Sequence, residues 1–304
     1  NKYLKIKNLE FIFGLDISSN VKEACRRYYF SKNRKKPRCV IIQYDTSQNI
    51  QYQEGLVGDD NMIKQNKQLL SILYDKKNKI DEKYQLFDKQ LRSIAKKKFD
   101  IISSQFSIHY YFKDEKTLRG YLSNISENCK KGGIFIGTCY DGKKVFEMLS
   151  ESKKIEMKNE FKKTIYKIEK KYKDKSFDYK KGEVKSMLGR TIEVYIDTIG
   201  QSIKEYLVNF EFFIDIMKEY GFQLSSLEDT NKLTSGYDIF RNDKTKYMDG
   251  VGGFEQIIEE LSFIMVKEKN FHENYSEAGL IQLDKNKELK LLSSFHNWFI
   301  FRKN

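Results

Sequence analysis

Short apolar runs alternate with amphipathic, charged stretches along the chain of 304 residues. The apolar runs have the length and continuity of strands buried in a parallel sheet, and the stretches between them have helical spacing. Strands are predicted at Leu9–Asp16, Cys39–Asp45, Phe99–Ser104, Ile134–Thr138, Phe222–Leu227 and Phe295–Arg302. This alternation predicts an α/β fold with a doubly wound, mostly parallel sheet.

The helical stretches and the insertions complete this outline. Helices are predicted at Val21–Phe30, Ile63–Tyr74, Glu115–Cys129 and Glu205–Tyr220, the last ending at Gly221. Gly250–Gly253 lacks a preceding strand and the GxGxxG spacing, which predicts a loop and not a phosphate cradle. We expect one domain over residues 1–304 with insertions at about 48–98 and 150–190. The charged segment Ser150–Lys185 predicts a projecting helix or hairpin.

Composition narrows the class of protein. Hydrophobic residues make up 39% of the chain and aromatic residues 14%, which excludes simple disorder. No run approaches about 18 apolar residues, so no membrane partner is predicted. The four cysteines form no CxxC pair, which argues against a disulfide framework or a metal site and favours a reducing compartment. The net charge of +13 favours a polyanionic partner, although an AT-rich genome gives the same lysine excess.

Two predicted strands end in acids, Asp16 and Asp45. In an open α/β sheet, ligands bind at the carboxyl ends of the strands. One acid there can accept hydrogen bonds from a ribose diol, and an acid on the next strand can accept from an adenine amino group. Asp also ends strands as a turn former, so the two residues by themselves leave an adenosyl site and a plain turn open.

The third strand leads into a cluster of polar and aromatic residues, Gln105–Phe112. One Gln, one His and four aromatics suit a pocket that stacks a flat base and hydrogen-bonds its edge. His109 taken alone is better explained as a structural histidine. The cluster as a whole favours a base pocket.

Four motifs in order resemble those of the mRNA cap guanine-N7 methyltransferases. They are Asp100–Phe112, Leu122–Thr138, Glu205–Val208 (Glu-Tyr-Leu-Val, leading into a helix) and the closing strand Phe295–Lys303. Gly137–Gly142 is most similar to the methyltransferase domains of large DNA virus capping enzymes. The resemblance extends over residues 9–303 and is loose over 48–98 and 150–190. It implies the Rossmann-like fold of methyltransferases that use S-adenosylmethionine.

The resemblance also implies a role for individual residues. For the cofactor, Asp16 resembles the acid on the ribose, Asp45 and its neighbour Thr46 the adenine edge, and Gln105 and Tyr110 the methionine end.

For the cap, His109 and Glu205 resemble the residues that hold the guanine, and Arg27 resembles the residue that faces the phosphates. His296 stands where the family's last strand presents a Tyr. It either contacts the cap or lies on the exposed face of the strand.

The implied reaction is methyl transfer from S-adenosylmethionine to guanine N7 of the 5′ cap of mRNA, leaving S-adenosylhomocysteine. Guanine N7 carries a lone pair and no proton, so positioning and electrostatics suffice. No catalytic acid or base is therefore predicted. The alternative is a non-catalytic cap- or RNA-binding or stimulatory module. Asp16, Asp45 and Gln105 favour the enzyme, because a cap binder has no use for an adenosyl site.

The resemblance has a gap at the front. The family's first strand and glycine-rich loop have no counterpart in the chain and are expected before residue 1, which favours a clipped sequence over a chain that needs a partner to supply the strand. Expected partners are the capped 5′ end of mRNA and an activating subunit or upstream capping domains. An intracellular, reducing location is expected: the cytoplasm of an infected cell or the virion for a viral protein, otherwise the nucleus.

Overall fold

The computed structural model describes residues 8–31, 36–226, 250–254 and 287–304. The chain divides into two compact units: unit 1 (residues 1–99 and 119–128) and unit 2 (residues 100–118 and 129–304). Strands and helices occur in both units, so the predicted α/β class is confirmed. One methyltransferase domain over 1–304 stays a prediction.

Unit 1 contains a two-stranded parallel sheet. Strand β1 (Phe11–Asp16) pairs with β2 (Arg38–Gln43) in continuous register, and helix α1 (Val21–Tyr29) connects them. Helices α2 (Asp60–Leu73) and α3 (Gln85–Leu91) follow, and Asp59 caps α2 by accepting a hydrogen bond from the Met62 amide. The core of the unit is formed by apolar side chains of these elements: Val40, Ile42, Tyr44, Ile50, Leu70, Ile72, Leu73, Tyr74, Leu91 and Ala95.

Two strands and two helices come next along the chain. They are β3 (Phe99–Gln105), α4 (Glu115–Asn128), β4 (Cys129–Tyr140) and α5 (Gly142–Glu151). Residues Lys131–Gly133 lie within β4, with Gly132 at a φ of +75°. Asp141 caps α5 through its Oδ1, which accepts from the Lys143 and Lys144 amides.

The charged segment contributes the first two strands of a four-stranded antiparallel sheet in unit 2. Its strands are β5 (Lys154–Lys158), β6 (Thr164–Lys170), β7 (Thr191–Ile196) and β8 (Gln201–Tyr206), paired in that order. Strands β5 and β6 form a hairpin, so the hairpin expected for this segment is confirmed and the helix is wrong. The physical reason is a period of two: along β6, the apolar Tyr166 and Ile168 are buried, and the charged residues between and after them are only partly buried.

The helix predicted at Glu205–Tyr220 needs a correction. Glu205 lies on strand β8, opposite Ile192, and helix α6 begins only at Phe210 and ends at Glu219. Asn209 sets this boundary, because its side chain caps the helix by accepting from the Phe212 amide. The prediction that Gly221 ends the helix is confirmed by its φ of +77°.

The remaining elements complete the larger sheet of unit 2. They are β9 (Phe222–Leu224), β10 (Val251–Gly253), α7 (Lys287–Ser294) and β11 (His296–Lys303). The sheet has the order β10-β11-β4-β3, and β9 also pairs with β11. Strand β11 is antiparallel to β4, β9 and β10. The core of unit 2 contains fully buried phenylalanines from this sheet and from helix α6: Phe135, Phe212, Phe213, Phe222, Phe299 and Phe301.

The loop predicted at Gly250–Gly253 is wrong, because Val251–Gly253 pair with β11 from Phe299 to Asn297. Glycines carry no side chain, so the usual alternation of a strand leaves no trace in this part of the sequence. Gly250 has a φ of +66°, and a Cβ built there meets the Ile300 carbonyl oxygen at 2.6 Å. The close approach of the two backbones explains the residue type.

Among the described residues, no strand pairs with the free side of β1 or of β3. The family's first strand and glycine-rich loop therefore remain an expectation from the resemblance. No helix in the described ranges is long and apolar enough to cross a membrane.

Candidate functional site

The two acids predicted for the adenosyl group lie at the same edge of unit 1. The Asp16 carbonyl accepts a hydrogen bond from the Tyr44 amide (2.8 Å), so Asp45 follows directly beside the end of β1. Because β1 and β2 are parallel, both acids stand at their carboxyl ends. The side chain of Asp16 is exposed and that of Asp45 is half-buried. This is the edge where an open α/β sheet binds ligands.

Each acid also forms a turn. The Ser18 amide donates to Asp16 Oδ1 (2.8 Å), and the Ser47 amide donates to Asp45 Oδ1 (2.9 Å). The turn interpretation left open by the sequence is therefore correct for both residues. It does not exclude a ligand, because each turn uses one carboxylate oxygen and a ligand hydroxyl or amino group needs only the other.

Arg27 lies on the exposed surface of α1. Its Nε donates to Glu23 Oε1 (2.9 Å), and Arg26 binds both oxygens of the same carboxylate. Hydrogen bonds from Arg26, the larger cause, and from Arg27 lower the pKa of Glu23 to about 2. The Arg27 guanidinium is thus oriented by an acid on its own helix.

The end of β3 presents an exposed aromatic ring in a strained backbone conformation. Phe106 has a φ of +52°, and its amide donates to the Thr138 carbonyl (2.9 Å). Gln105 is held beside it by the Ser103 and Thr138 hydroxyls, at 3.0 and 3.1 Å. A positive φ is unfavourable for a bulky residue, and such strain is concentrated at binding sites. Phe106 was not singled out from the sequence; the aromatic cluster Gln105–Phe112 was its only signal.

His109 and Glu205 face each other inside unit 2. His109 lies in a short 3₁₀ segment after β3 and is 3% exposed, and Glu205 on β8 is 6% exposed. The distance from His109 Nε2 to Glu205 Oε1 is 3.6 Å, and the Tyr110 hydroxyl donates to the same oxygen at 3.4 Å. The structure therefore brings together three predicted site residues: His109, Tyr110 and Glu205. Tyr110 and Glu205 are 95 positions apart along the chain.

These buried groups have unused hydrogen-bonding capacity. Both ring nitrogens of His109 and the Oε2 of Glu205 have no hydrogen-bond partner among the described residues. Buried polar atoms without partners are costly and uncommon, which makes this place a candidate binding site. A ligand with two adjacent N–H donors matches the carboxylate.

Aromatic rings surround these groups. The Tyr140 ring centroid lies 5.8 Å from that of His109 and 4.5 Å from that of His296. His296 also meets Phe106 at 5.3 Å and Phe254 at 5.8 Å. The pairing of β11 with β4 sets this arrangement, because it places His296 opposite Tyr140. His296 is thus half-buried among rings and does not lie on an exposed face.

The protonation state of His296 follows from its surroundings. Burial lowers the pKa of its imidazole to about 4, so the ring is neutral at pH 7. Its Nδ1 lies 3.1 Å from the Leu292 carbonyl oxygen. A carbonyl only accepts, so Nδ1 carries the proton and Nε2 is an acceptor.

Tyr140 and Tyr166 are further residues of this region, and neither is among the residues predicted from the sequence. Their hydroxyl oxygens are 2.9 Å apart, and both side chains are buried. Burial raises the pKa of Tyr140, and the nearby Tyr166 and Glu205 raise it further. Tyr140 lies in the motif Gly137–Gly142, which was a usable signal, whereas no sequence pattern points to Tyr166. In the described ranges, no group of three His, Cys, Asp or Glu residues has the arrangement of a metal site.

Comparison with known proteins identifies the family. The model of the mRNA (guanine-N(7))-methyltransferase domain matches residues 1–289. The chain therefore belongs to the mRNA (guanine-N(7))-methyltransferase family, and the resemblance stated from the motifs is confirmed.

Individual relatives agree with this assignment. The mRNA cap guanine-N(7) methyltransferase of Saccharomyces cerevisiae is 31% identical over 133 residues, which are 44% of this chain and 30% of that protein. The mRNA cap guanine-N(7) methyltransferase 1 of Arabidopsis thaliana is 29% identical over 139 residues, 46% of this chain and 35% of that protein. The probable mRNA-capping enzyme of Acanthamoeba polyphaga mimivirus is 32% identical over 142 residues, 44% of this chain and 12% of that protein.

The matched part of the chain thus spans about a third or less of these curated relatives. Among solved structures, a putative S-adenosylmethionine dependent methyltransferase from Listeria monocytogenes matches with a TM-score of 0.41 and 11% identity, covering 100% of this chain and 94% of that one.

Proposed function

We propose that the chain transfers a methyl group from S-adenosylmethionine to N7 of the guanine cap at the 5′ end of mRNA. One observation carries the proposal: within the described part of the chain, the buried Glu205 carboxylate has an oxygen without a hydrogen-bond partner and faces the ring nitrogens of His109, which also have none. The N1–H and N2–H groups of guanine are adjacent donors, and one carboxylate accepts from both. Family membership supports the same substrate.

Two further residues are proposed to contact the cap. Arg27 suits the cap phosphates, because its planar guanidinium binds them through two parallel hydrogen bonds. His296 borders the guanine through its ring, with Nε2 as an acceptor for a ligand donor.

The proposed cofactor site uses the five residues to which the resemblance gives a cofactor role. Asp16 takes the ribose hydroxyls, and Asp45 and Thr46 take the adenine edge, in keeping with their place at the carboxyl ends of parallel strands. Gln105 and Tyr110 take the methionine end. These residue types fit S-adenosylmethionine, which supplies an activated methyl group on a sulfonium.

The protein contributes position and electrostatics to this reaction. Guanine N7 has no proton to remove, so neither His109 nor Glu205 acts as a general base. Holding two reactants in line contributes on the order of 7–11 kcal/mol. The Glu205 carboxylate also stabilises the positive charge that develops on the guanine.

The substrate partner proposed is capped mRNA, with an activating subunit or other capping domains as further partners. The mimivirus relative, a probable mRNA-capping enzyme, is consistent with such domains. We also propose a reducing location: the cytoplasm of an infected cell or the virion for a viral protein, otherwise the nucleus.

The Glu205→Gln variant tests the proposal. The substitution keeps the size of the side chain, but it replaces one carboxylate oxygen by an NH2 group. That donor then faces the N–H donors of the guanine, and one hydrogen bond is lost. We expect kcat/KM for capped RNA to fall about 10- to 100-fold, in line with the loss of a hydrogen bond to a charged group. Glu193→Gln on the outer face of β7, paired there with Lys171, is the matched control and is expected to stay within about twofold of the parent. Equal rates for Glu205→Gln and the parent would refute the cap assignment.

A further inference from the structure

The loop that follows Asp45 is held by one buried side chain of unit 1. Asn124 on α4 is 2% exposed. Its Nδ2 donates to the carbonyl oxygens of Thr46 (2.8 Å) and Gln48 (2.7 Å), and its Oδ1 accepts from the Ile50 amide (3.0 Å). Both amide hydrogens are used, so a single side chain fixes three backbone groups of one short loop.

The helix backbone touches the same loop. Gly120 lies four residues before Asn124, which places both on one face of α4. A Cβ built on Gly120 would lie 2.0 Å from the Ser47 carbonyl oxygen. Only glycine permits this approach, so the helix and the loop are in direct contact at Ser47.

A second layer of hydrogen bonds holds Asn124 itself. Asn128 donates from its Nδ2 to the Asn124 carbonyl (2.8 Å), and the Tyr74 hydroxyl donates to Asn128 Oδ1 (2.5 Å). Asn128 and Tyr74 are both buried. The network therefore runs from the end of α2 through α4 to the loop, entirely within unit 1.

The loop in turn orients Asp45. The Ser47 amide donates to Asp45 Oδ1 (2.9 Å), so the position of Ser47 sets the rotation of the carboxylate. We propose that Asn124, together with Gly120, is a positioning residue that presents Asp45 to the adenine of the cofactor through the Thr46–Ile50 loop. This inference rests on the proposed function. Asn124 is not proposed to contact the ligand. It restricts the conformation of the loop that orients Asp45.

The Asn124→Asp variant separates positioning from packing. It keeps the size of the side chain and the acceptor for the Ile50 amide, but it loses both donors to Thr46 and Gln48. We expect the Kd for S-adenosylhomocysteine, measured by calorimetry, to rise about 10- to 100-fold, because a displaced contact group loses most of its value. S-inosylhomocysteine lacks the adenine amino group, so its Kd is expected to rise less than about threefold.

Asn209→Asp in unit 2 is the matched control. Asn209 also accepts one backbone amide (Phe212) and donates to one backbone carbonyl (Phe177), and it is equally buried. We expect a comparable fall in melting temperature with a Kd for S-adenosylhomocysteine within about twofold of the parent. Should Asn124→Asp fail to fold, Asn124→Ala serves as the second variant because it introduces no charge.

A double-mutant cycle with Asp45→Asn completes the test. If Asn124 acts through Asp45, the double variant binds S-adenosylhomocysteine no more weakly than Asp45→Asn alone. Equal losses for both ligands, or additive losses in the cycle, would reduce Asn124 to a structural role and leave the proposed function intact. A parent protein that includes the expected first strand and glycine-rich loop and still binds neither ligand would overturn the proposed function, and the positioning role with it.

Discussion

Tyr140 and Tyr166 share a hydrogen bond of 2.9 Å between their hydroxyl oxygens, although they belong to different sheets of unit 2. Tyr140 ends β4, whose sheet contributes His296, and Tyr166 lies on β6 in the sheet that contributes Glu205. This bond links the aromatic side of the candidate cap site to its carboxylate side.

Removal of one of these hydroxyls leaves the other buried without a partner. We expect Tyr166→Phe to lower the free energy of unfolding by about 1–3 kcal/mol. The double variant Tyr140→Phe/Tyr166→Phe is expected to lose less than the sum of the single variants, because no orphaned hydroxyl remains. Urea unfolding of the three variants measures this coupling. Additive losses would mean that the hydrogen bond contributes nothing of its own.

His296 makes stability depend on pH. Its pKa is 6.5 in the unfolded chain and about 4 in the fold, so between these values only the unfolded protein takes up the proton. The contribution of His296 to the free energy of unfolding is complete above pH 6.5 and is lost as the pH falls towards 4. The shift corresponds to at most about 3 kcal/mol. The actual loss is smaller, because the ring is only half-buried and solvent screens its charge.

Replacement of His296 by Gln removes this titration. We expect the difference in unfolding free energy between pH 7 and pH 4.5 to be smaller in His296→Gln than in the parent. Carboxylates titrate in both proteins and cancel in the comparison. The same pH difference in parent and variant would contradict the lowered pKa.

Gly137 lets β4 lie tightly between its neighbours. A Cβ at this position would meet Phe299 Cζ at 2.2 Å and the Ser104 carbonyl oxygen at 2.4 Å. We expect Gly137→Ala to lower the free energy of unfolding by about 2–3 kcal/mol through overpacking. Gly132→Ala on the same strand is the control: no atom of the described residues lies within 4 Å of the built Cβ, and its φ of +75° costs about 1 kcal/mol. Thermal unfolding ranks the two variants.

Arg27 and Arg26 differ in their proposed contact with the cap. Arg27→Lys keeps the charge but loses the planar fork, so we expect KM for capped RNA to rise about tenfold with an unchanged Kd for S-adenosylhomocysteine. Arg26→Lys is the neighbouring control, since Arg26 already spends two nitrogens on Glu23. A larger effect at Arg26 than at Arg27 would show that Arg26, and not Arg27, contacts the cap phosphates.

The sequence predicts those parts of the fold whose signal is local. Apolar runs mark β1 and β2, and the acids that follow them lie at one sheet edge as expected. Glu205 was wrongly placed on a helix because β8 is short and an apolar helix follows directly. Strand β10 consists largely of glycine and shows no pattern.

The site follows the same division. His109 and Tyr110 are neighbours in the chain, so their cluster is visible in the sequence. Tyr166 and Phe254 reach the same place only through tertiary pairing, for which a single sequence carries no periodic signal. The hydrogen bonds from Asn124 to the Thr46–Ile50 loop cannot be predicted from the sequence for a similar reason, since Asn124 donates to a carbonyl 78 residues earlier.

The pairing of β11 with β4 also governs when the protein can fold during synthesis. Asn297 and Asp141, which are hydrogen-bonded where these strands meet, are separated by 156 residues. At about 5–20 residues per second, a ribosome needs roughly 8–30 s to make the intervening chain. During that time β4 has an unpaired edge lined by apolar residues, which is a template for wrong association. The candidate cap site, which includes His296 on β11, can therefore be completed only after β11 has been synthesised.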